Sequence, residues 1–283
     1  MILLDGFQTA EKIKKHIKST LEIIQNKPSL HVIIVGDYPP SALYVEKKRQ
    51  ACLSVGINSH IHKLDQYIST QELCQFIQKL NNDSSVDAIL LQLPLPSHID
   101  QSYVIDTINP LKDVDGLTSS NAGKLVQGNP YISPCTPQGC MQLINQAHAD
   151  ISGMHAVVLG RSLLVGKPMA HLLLNKEATV TICHSKTTNL KEITKSADIL
   201  IAAIGKPQFI DVNFIKKGST IIDVGISYLD DQIKGDVYFD DVKNHVHAIS
   251  PVPKGVGPMT VANLLINTLK CAKIDTHDIL KNI

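Results

Sequence analysis

The segment HAVVLGRSLLVGKP (155–168) decides the fold. After His155 its next four residues, AVVL, are apolar and partly β-branched, which reads as a buried strand. A turn carrying Gly160, Ser162 and Gly166 follows, and the chain then opens a helix. Strand, punctuated turn and helix in that order begin a dinucleotide-binding unit. Gly160 permits the tight turn. Ser162 is small enough for the backbone to approach a diphosphate, and Gly166 permits close helix–strand packing. The pattern is looser than G-x-G-x-x-G, because serine stands at the second position and the last glycine falls one residue late. Taken by itself, the stretch is explained as well by an ordinary strand–turn–helix corner.

Outward from it, the same rhythm repeats. ATVTIC (178–183), ADILIAAIG (197–205) and STIIDVG (219–225) read as strands, with helical segments between the first of them. YLDDQIKGDVYFD (228–240) carries the turn signals of a hairpin. HVHAISPVPKGVGP (245–258) is a last strand with a glycine/proline loop, and TVANLLINTLKCAK (260–273) is the final helix. Upstream, LHVIIVG (30–36), NSHIHKL (58–64) and VDAILLQL (86–93) read as strands. SALYVEKKRQACLSV (41–55), with Ser41 as N-cap and Gly56 as stop, and TQELCQFIQKL (70–80) read as helices. Three proline-bearing loops follow, at 94–96, 109–116 and 129–139, before CMQLINQAH (140–148) opens the second series. Alternating strands and helices predict an α/β fold with parallel sheets. A boundary near 138–150 divides the chain. The expected division is 1–138 plus 261–283 for one domain and 139–260 for the other, although the return of the last helix is not fixed by pattern alone.

Composition narrows the function. The 283 residues are 43% hydrophobic, enough for real cores, and the net charge is +1. So balanced a chain lacks the electrostatic pull of a general nucleic-acid or membrane-surface binder. Six cysteines, at 52, 74, 135, 140, 183 and 271, form no C-x-x-C pair and no zinc pattern. They read as reduced cytosolic thiols serving as small apolar residues. The start, MILLDGFQTAEKIKK, lacks a secretory signal, because Asp5 interrupts a short apolar run. No stretch approaches the ~18 apolar residues of a membrane span. A cytoplasmic protein with no metal site is expected.

The second strand of the 139–260 region points to a cofactor. Where NAD-binding folds place an acid for the ribose hydroxyls, this chain reads CHSKT (183–187). A guanidinium at Arg161 and a hydroxyl at Ser185 suit a ribose 2′-phosphate, so NADP is expected over NAD. The plain alternative for Ser185 and Lys186 is an exposed polar turn. IDVGI (222–226) ends a further strand at the same sheet edge, where its glycine would admit a nicotinamide.

In the first half, Tyr44 and Lys48 are four residues apart on one helix and share a face. Gln92 falls at a strand end and Asp115 in a loop. Each alone is bland: a surface lysine, a core-edge tyrosine, a turn aspartate. Together the segments YVEKK, QLPLP, KDVDG, PCTPQG, GRSLLVGKP, CHSKT, ADILIAAIGKP, IIDVGI and PVPKGVGPMT occur in order along the chain. In this the sequence resembles the bifunctional methylenetetrahydrofolate dehydrogenase/cyclohydrolase family, over roughly residues 1–272.

The resemblance implies two α/β domains with a cleft between them, a smaller catalytic domain and a Rossmann-like NADP-binding domain, in a homodimer. It implies oxidation of 5,10-methylenetetrahydrofolate by NADP and hydrolysis of the methenyl product to 10-formyltetrahydrofolate, within one-carbon metabolism and purine biosynthesis. By motif, Lys48 would be the catalytic lysine, Tyr44 would stack near the folate, Gln92 would contact Lys48, and Asp115 would bind the pterin edge. Leu91, Leu93, Pro251, Gly255, Gly257, Pro258 and Thr260 would line the folate site. Gly160, Arg161, Ser162, Ser185 and Ile226 would contact NADP.

The chemistry suits those roles. The hydride leaves a carbon flanked by two nitrogens whose lone pairs stabilise the cation, so placement matters more than an acid or base. Hydrolysis needs proton management. A free lysine titrates near ~10.4 and a useful base nearer ~7–8, so burial and the like charge of the methenyl cation must lower the amine. A neutral Gln92 would orient that amine without restoring its charge. A carboxylate at Asp115 matches the paired donor edge of a pterin. Two departures stand out. Lys254 occupies the first glycine position of the family's PVPGGVGP loop, which would shift the loop or bring an ammonium to the folate's glutamate tail. Leu117 and Thr118 replace a Phe-His pair and alter packing near the site. Two other functions compete with the bifunctional one: a dehydrogenase without cyclohydrolase activity, and a non-catalytic binding module.

Overall fold

A computed structural model of the chain describes residues 1–37, 39–229 and 232–281, with the backbone alone for 39–43 and 280–281. In chain order the first half runs β1 (Ile2–Leu3), α1 (Gly6–Glu22), β2 (Ser29–Val35), α2 (Pro39–Val55), β3 (Asn58–Leu64), α3 (Thr70–Asn82), β4 (Ala88–Leu91), α4 (Gln101–Thr107) and α5 (Ser119–Val126). The second half runs α6 (Cys135–Ala147), β5 (His155–Leu159), α7 (Gly166–Leu174), β6 (Thr179–Cys183), α8 (Leu190–Lys195), β7 (Ile199–Ala202), β8 (Thr220–Asp223), β9 (Ser227–Leu229), β10 (Gln232–Lys234), α9 (Phe239–Val242), β11 (Ala248–Ile249), α10 (Val256–Cys271) and α11 (His277–Lys281). These elements form two units. One holds Met1–Glu11, Leu125–Asn129 and Pro134–Asn263; the other holds Lys12–Lys124, Pro130–Ser133 and Leu264–Ile283.

The Lys12–Lys124 unit is built on a three-stranded parallel sheet in the order β3-β2-β4. SLHVIIV of β2 is central, and six of its seven residues are buried, which is why it reads as a continuous apolar run. β3 lies at the edge and alternates between exposed and half-buried positions, the source of its weaker signal. α3 opens with a capping box: Ser69 Oγ accepts from Glu72 N, and the Glu72 carboxylate accepts from Ser69 N at 2.9 Å. Its Leu73 and Ile77 pack with Ile33, Ile89 and Val104 into one core cluster.

The Pro134–Asn263 unit carries a six-stranded sheet ordered β1-β11-β8-β7-β5-β6, parallel at every pairing. Without β1, the strands from β5 onward follow the doubly wound order 2-1-3-4-5, whose switch point lies between its first and third strands, here β5 and β7. The other sheet repeats the start of that order, with β2 between β3 and β4. Open α/β sheets bind ligands at the carboxyl ends of strands flanking such a reversal. Each unit therefore offers one position of that kind.

Several elements differ from the sequence reading. Residues 1–11, expected with the first domain, lie in the Pro134–Asn263 unit, because the two-residue β1 pairs parallel with β11 as an edge strand. So short a strand leaves no periodic trace. α6 begins at Cys135 and α10 at Val256, inside stretches read as proline loops. Pro137 and Pro258 sit in first turns, where the missing N–H has no helical acceptor in any case. α1 is absent from the reading, although Ile13, Ile17 and Leu21 are fully buried at helical spacing. α2 opens at Pro39, ahead of Ser41, whose side chain lies outside the described residues. The expected hairpin in 228–240 corresponds to antiparallel β9 and β10, while residues 230–231 also lie outside the described residues. All six cysteines are free and buried. Among the described residues no helix is long and apolar enough to cross a membrane, and no cluster of three or more His, Cys, Asp or Glu could hold a metal.

Candidate active site

Lys48 comes from α2, the crossover that follows β2, and Gln92 stands one residue past the end of β4. The strand order therefore carries both to the same switch point. Lys48 is only 6% exposed, and its Nζ donates to Gln92 Oε1 at 3.1 Å. Gln92 is itself fixed. Its backbone N–H donates to Ile33 O at 2.9 Å, and its Nε2 donates to Leu93 O at 2.8 Å. The Lys48 ammonium position lies 4.6 Å from the centre of the Tyr44 ring, as the spacing of four residues on one helix requires. Cys52, the next residue on that helical face, is fully buried. Burial pushes its thiol up to about 12 against the opposing pull of Lys48, so it stays neutral and is no nucleophile.

Asp115 follows a chain segment that hugs β4. Ile89 N donates to Lys112 O and Val114 N to Ile89 O, at 2.7 and 3.3 Å. Asp115 is half-buried and precedes Gly116, whose φ of 66° makes the turn. The residue that builds this loop is Asp113, which is 2% exposed and accepts from Thr118 N and Asn121 Nδ2 at 2.8 and 2.9 Å. Asn267 of α10 adds a second clamp, its Nδ2 donating to Val114 O and Ser133 O at 2.9 Å each. Sequence reasoning missed both. Asp113 was visible only as the first acid of DVDG, and Asn267 as a polar residue on an apolar helix face. The Thr118 N–H bond would survive any residue there except proline, but the Thr118 Oγ1 also accepts from Asn121 N at 3.3 Å, a side-chain tie within the same loop. Leu91 is buried in the core cluster, and Leu93 packs against it ahead of a cis bond to Pro94.

In the other unit, Gly160 ends β5 with φ 126°, and its N–H donates to Cys183 O at 2.9 Å, tying together the ends of β5 and β6. A Cβ at Gly160 would collide with the carbonyl of Ala203 in the loop after β7. Close approach of these two loops thus requires glycine. Ser162 also has a task within the fold. Its Oγ accepts from Val165 N at 3.2 Å and Gly166 N at 3.4 Å, the two amides that lead into α7. Leu159 and Cys183 are register partners, so Arg161 and Ser185 leave the sheet two residues beyond paired positions, and both are exposed. The first turn of α7 contains no acid. A helix start without acids, a glycine turn at the switch point, and an exposed guanidinium and hydroxyl leaving adjacent strand ends together fit a dinucleotide bearing a 2′-phosphate.

Ile226 is 59% exposed, and a Cβ at Gly257 would lie 4.0 Å from its Cδ1. The fold thus brings together one residue expected at NADP and one expected at folate. Pro251 and Pro258 are half-buried, and Gly255 is buried. Thr260 Oγ1 pairs with Thr136 Oγ1 at 2.9 Å, a partner the sequence did not suggest. Lys254 occupies a strained position. It holds φ 82°, the left-handed conformation glycine favours, so the lysine bears a strain that glycine would not.

Known proteins match this arrangement over nearly the whole chain. Residues 4–115 match the tetrahydrofolate dehydrogenase/cyclohydrolase catalytic domain, and residues 134–276 match the NAD(P)-binding domain of the same enzymes. The bifunctional protein FolD of Campylobacter curvus is 50% identical over 277 residues, covering 96% of each chain. The crystal structure of the FolD methylenetetrahydrofolate dehydrogenase/cyclohydrolase from Campylobacter jejuni superposes with a TM-score of 0.94 at 44% identity, covering 96% of this chain and 99% of that one. The Trypanosoma brucei enzyme, solved with NADP cofactor and an inhibitor, gives 0.92 at 35% identity, with 96% and 97% covered. The chain belongs to the tetrahydrofolate dehydrogenase/cyclohydrolase family.

Proposed function

We propose that this chain oxidises 5,10-methylenetetrahydrofolate to the 5,10-methenyl form with NADP and hydrolyses that product to 10-formyltetrahydrofolate. The observation that carries the proposal is the buried Lys48 Nζ held 3.1 Å from Gln92 Oε1 above the Tyr44 ring. NADP supplies a hydride acceptor. Gly160, Arg161, Ser162, Ser185 and Ile226 would hold it: the glycine turn and the start of α7 would receive the diphosphate, Arg161 and Ser185 the 2′-phosphate, and Ile226 would flank the nicotinamide.

For the folate, Asp115 accepts from the pterin's amino group and ring N–H, and the Tyr44 ring offers a face for stacking. Leu91, Leu93 and the loop residues Pro251, Gly255, Gly257, Pro258 and Thr260 complete its contacts. Loss of hydride leaves a cation spread over N5, the carbon and N10. Lys48, oriented by Gln92, then manages protons. Water adds to the carbon and gives a proton to the Lys48 amine. The C–N5 bond breaks as the resulting ammonium returns a proton to N5, and the second proton of the water is released as the formyl C=O forms. One proton is released overall, which balances the loss of the cation's charge.

The same reading places the chain in the cytoplasm as a homodimer that needs neither nucleic acid nor membrane. Six buried free thiols suit a reducing compartment. An absorbance assay with methylenetetrahydrofolate and either NADP or NAD tests the proposal. Methenyl and then formyl product with NADP is the expected course. Methenyl accumulating without formyl product would leave only the dehydrogenase, and no turnover would overturn both activities.

A further inference from the structure

Six backbone N–H groups converge on two buried carboxylates at the end of β8. Asp223 accepts from Gly225 N at 3.0 Å, Asp236 N at 2.9 Å and Val237 N at 2.9 Å. Asp236 accepts from Ile204 N at 2.7 Å, Gly205 N at 3.1 Å and Lys206 N at 2.7 Å. Asp223 N in turn donates to Ser250 Oγ at 2.8 Å. The carboxylates are 3% and 0% exposed. Four segments, 204–206, 225–226, 235–237 and 250–252, are thereby fastened to one another. Their approach is close: a Cβ at Gly235 would stand 2.6 Å from Asp223 Cγ and 2.8 Å from Val252 Cγ2.

Buried acids satisfied by amides are often purely structural. Two observations carry this pair further. First, the fastened segments end on candidate ligand contacts. Ile226 follows Gly225, Pro251 follows Ser250, and Ile226 reaches toward Gly257. Second, the loop is unsupported on one side. A cavity of about 560 Å³ lies beside it, lined by Asp223, Gly235, Val237, Pro251, Val252 and Pro253, so the loop has room to shift if the hydrogen bonds loosen. Holding two acids here is also costly. Burial, with the Asp236 carboxylate adding to it, pushes Asp223 up to about 7 in spite of its three amide donors. Lys234 and Asp240 line the same cavity and face it from the hairpin and α9.

We propose that Asp223 and Asp236 are positioning residues for hydride transfer, fixing the Gly225–Ile226 turn and the Ser250–Val252 segment in a single geometry through the backbone. This rests on the reading of Ile226 as a nicotinamide contact and of residues 251–260 as folate contacts.

The test compares Asp223→Asn and Ser250→Ala with the wild-type chain. Asp223→Asn turns one acceptor oxygen into an NH2 that faces an amide donor. Ser250→Ala cuts only the tie to the loop and keeps both acids. Calorimetric titration uses NADPH and 2′-phospho-ADP-ribose, which lacks the nicotinamide, alongside steady-state kinetics. For Asp223→Asn the expected results are an NADPH affinity lower by roughly tenfold, 2′-phospho-ADP-ribose affinity within about twofold, and dehydrogenase kcat lower by at least ~10-fold. For Ser250→Ala, NADPH binding stays constant while the KM for methylenetetrahydrofolate rises about threefold. Should Asp223→Asn melt too low to titrate, Ser250→Ala decides. Equal loss of both nucleotides, or no change in a folded variant, overturns the positioning role. A wild-type chain that binds neither nucleotide overturns the underlying reading and the positioning role with it.

Discussion

Lys48 and Gln92 stand 44 residues apart in the chain and meet at 3.1 Å, because α2 leaves the end of β2 while Gln92 closes the adjacent β4. Gln92 cannot swing away, since its amide also holds Leu93 O. Gln92→Leu removes the orienting acceptor and keeps the side-chain volume. We expect cyclohydrolase kcat to fall by roughly 10- to 100-fold and dehydrogenase kcat by less, because only hydrolysis needs the amine to move protons. Parallel assays of the two reactions check this. An equal loss in both would point to general damage at the site.

Arg161 and Ser185 emerge beyond paired strand ends, and CHSKT (183–187) offers no acid to hold a free ribose hydroxyl. Arg161→Ala should cost ~1.5–3 kcal/mol of NADP binding, the range for a hydrogen bond to a charged group, or about 10- to 150-fold in KM. The KM for NAD should move little. A variant that loses both cofactors equally would show that Arg161 serves the fold and not the 2′-phosphate.

Lys254 sits at φ 82°, where an L side chain costs ~1–2 kcal/mol and glycine costs little beyond its greater freedom in the unfolded chain. Lys254→Gly should therefore stabilise the protein by ~0.5–1 kcal/mol, seen as a melting temperature higher by a degree or two. The substitution also removes an exposed ammonium. A rise in the KM for polyglutamylated folate would show that it meets the glutamate tail, and an unchanged KM would refute that contact.

His31 on β2 places Nδ1 2.9 Å from His62 Nε2 on β3, with the His60 ring 4.7 Å away. Only one of the two bonded nitrogens can carry a proton. Burial, then His60 and His62, push His31 down to about 4, with Lys112 acting the same way and Asp83 opposing. The folded value lies below the unfolded one, near ~6.5, so the unfolded chain binds more protons between these limits. Stability should be full above about 6.5 and fall as pH drops toward 4. Melting curves across that window check this, and His31→Val should flatten the decline. An unchanged slope in the variant would assign the decline to other groups.

Much of this architecture was legible in the sequence for a physical reason. β2, β4, β5 and β7 are buried along almost their whole length, and buried parallel strands show as apolar runs. Lys48, Tyr44 and Gln92 were legible through helical spacing and a strand end. The misses share another origin. β1 has two residues and draws its identity from β11 alone. The early starts of α6 and α10 hide behind prolines that helices accept in their first turn. Asp113, Asn267 and the Asp223–Asp236 pair act on backbone groups brought near by the fold, and no local pattern marks an acceptor for distant amides.

The central claim is that the Lys48 amine handles the protons of hydrolysis. The most direct measurement is the rate of methenyltetrahydrofolate hydrolysis by Lys48→Met, with melting temperature confirming an intact fold. General acid–base assistance contributes about 10²- to 10⁴-fold, so the rate should fall by that amount. A folded Lys48→Met protein that hydrolyses the methenyl substrate at the full wild-type rate would contradict it.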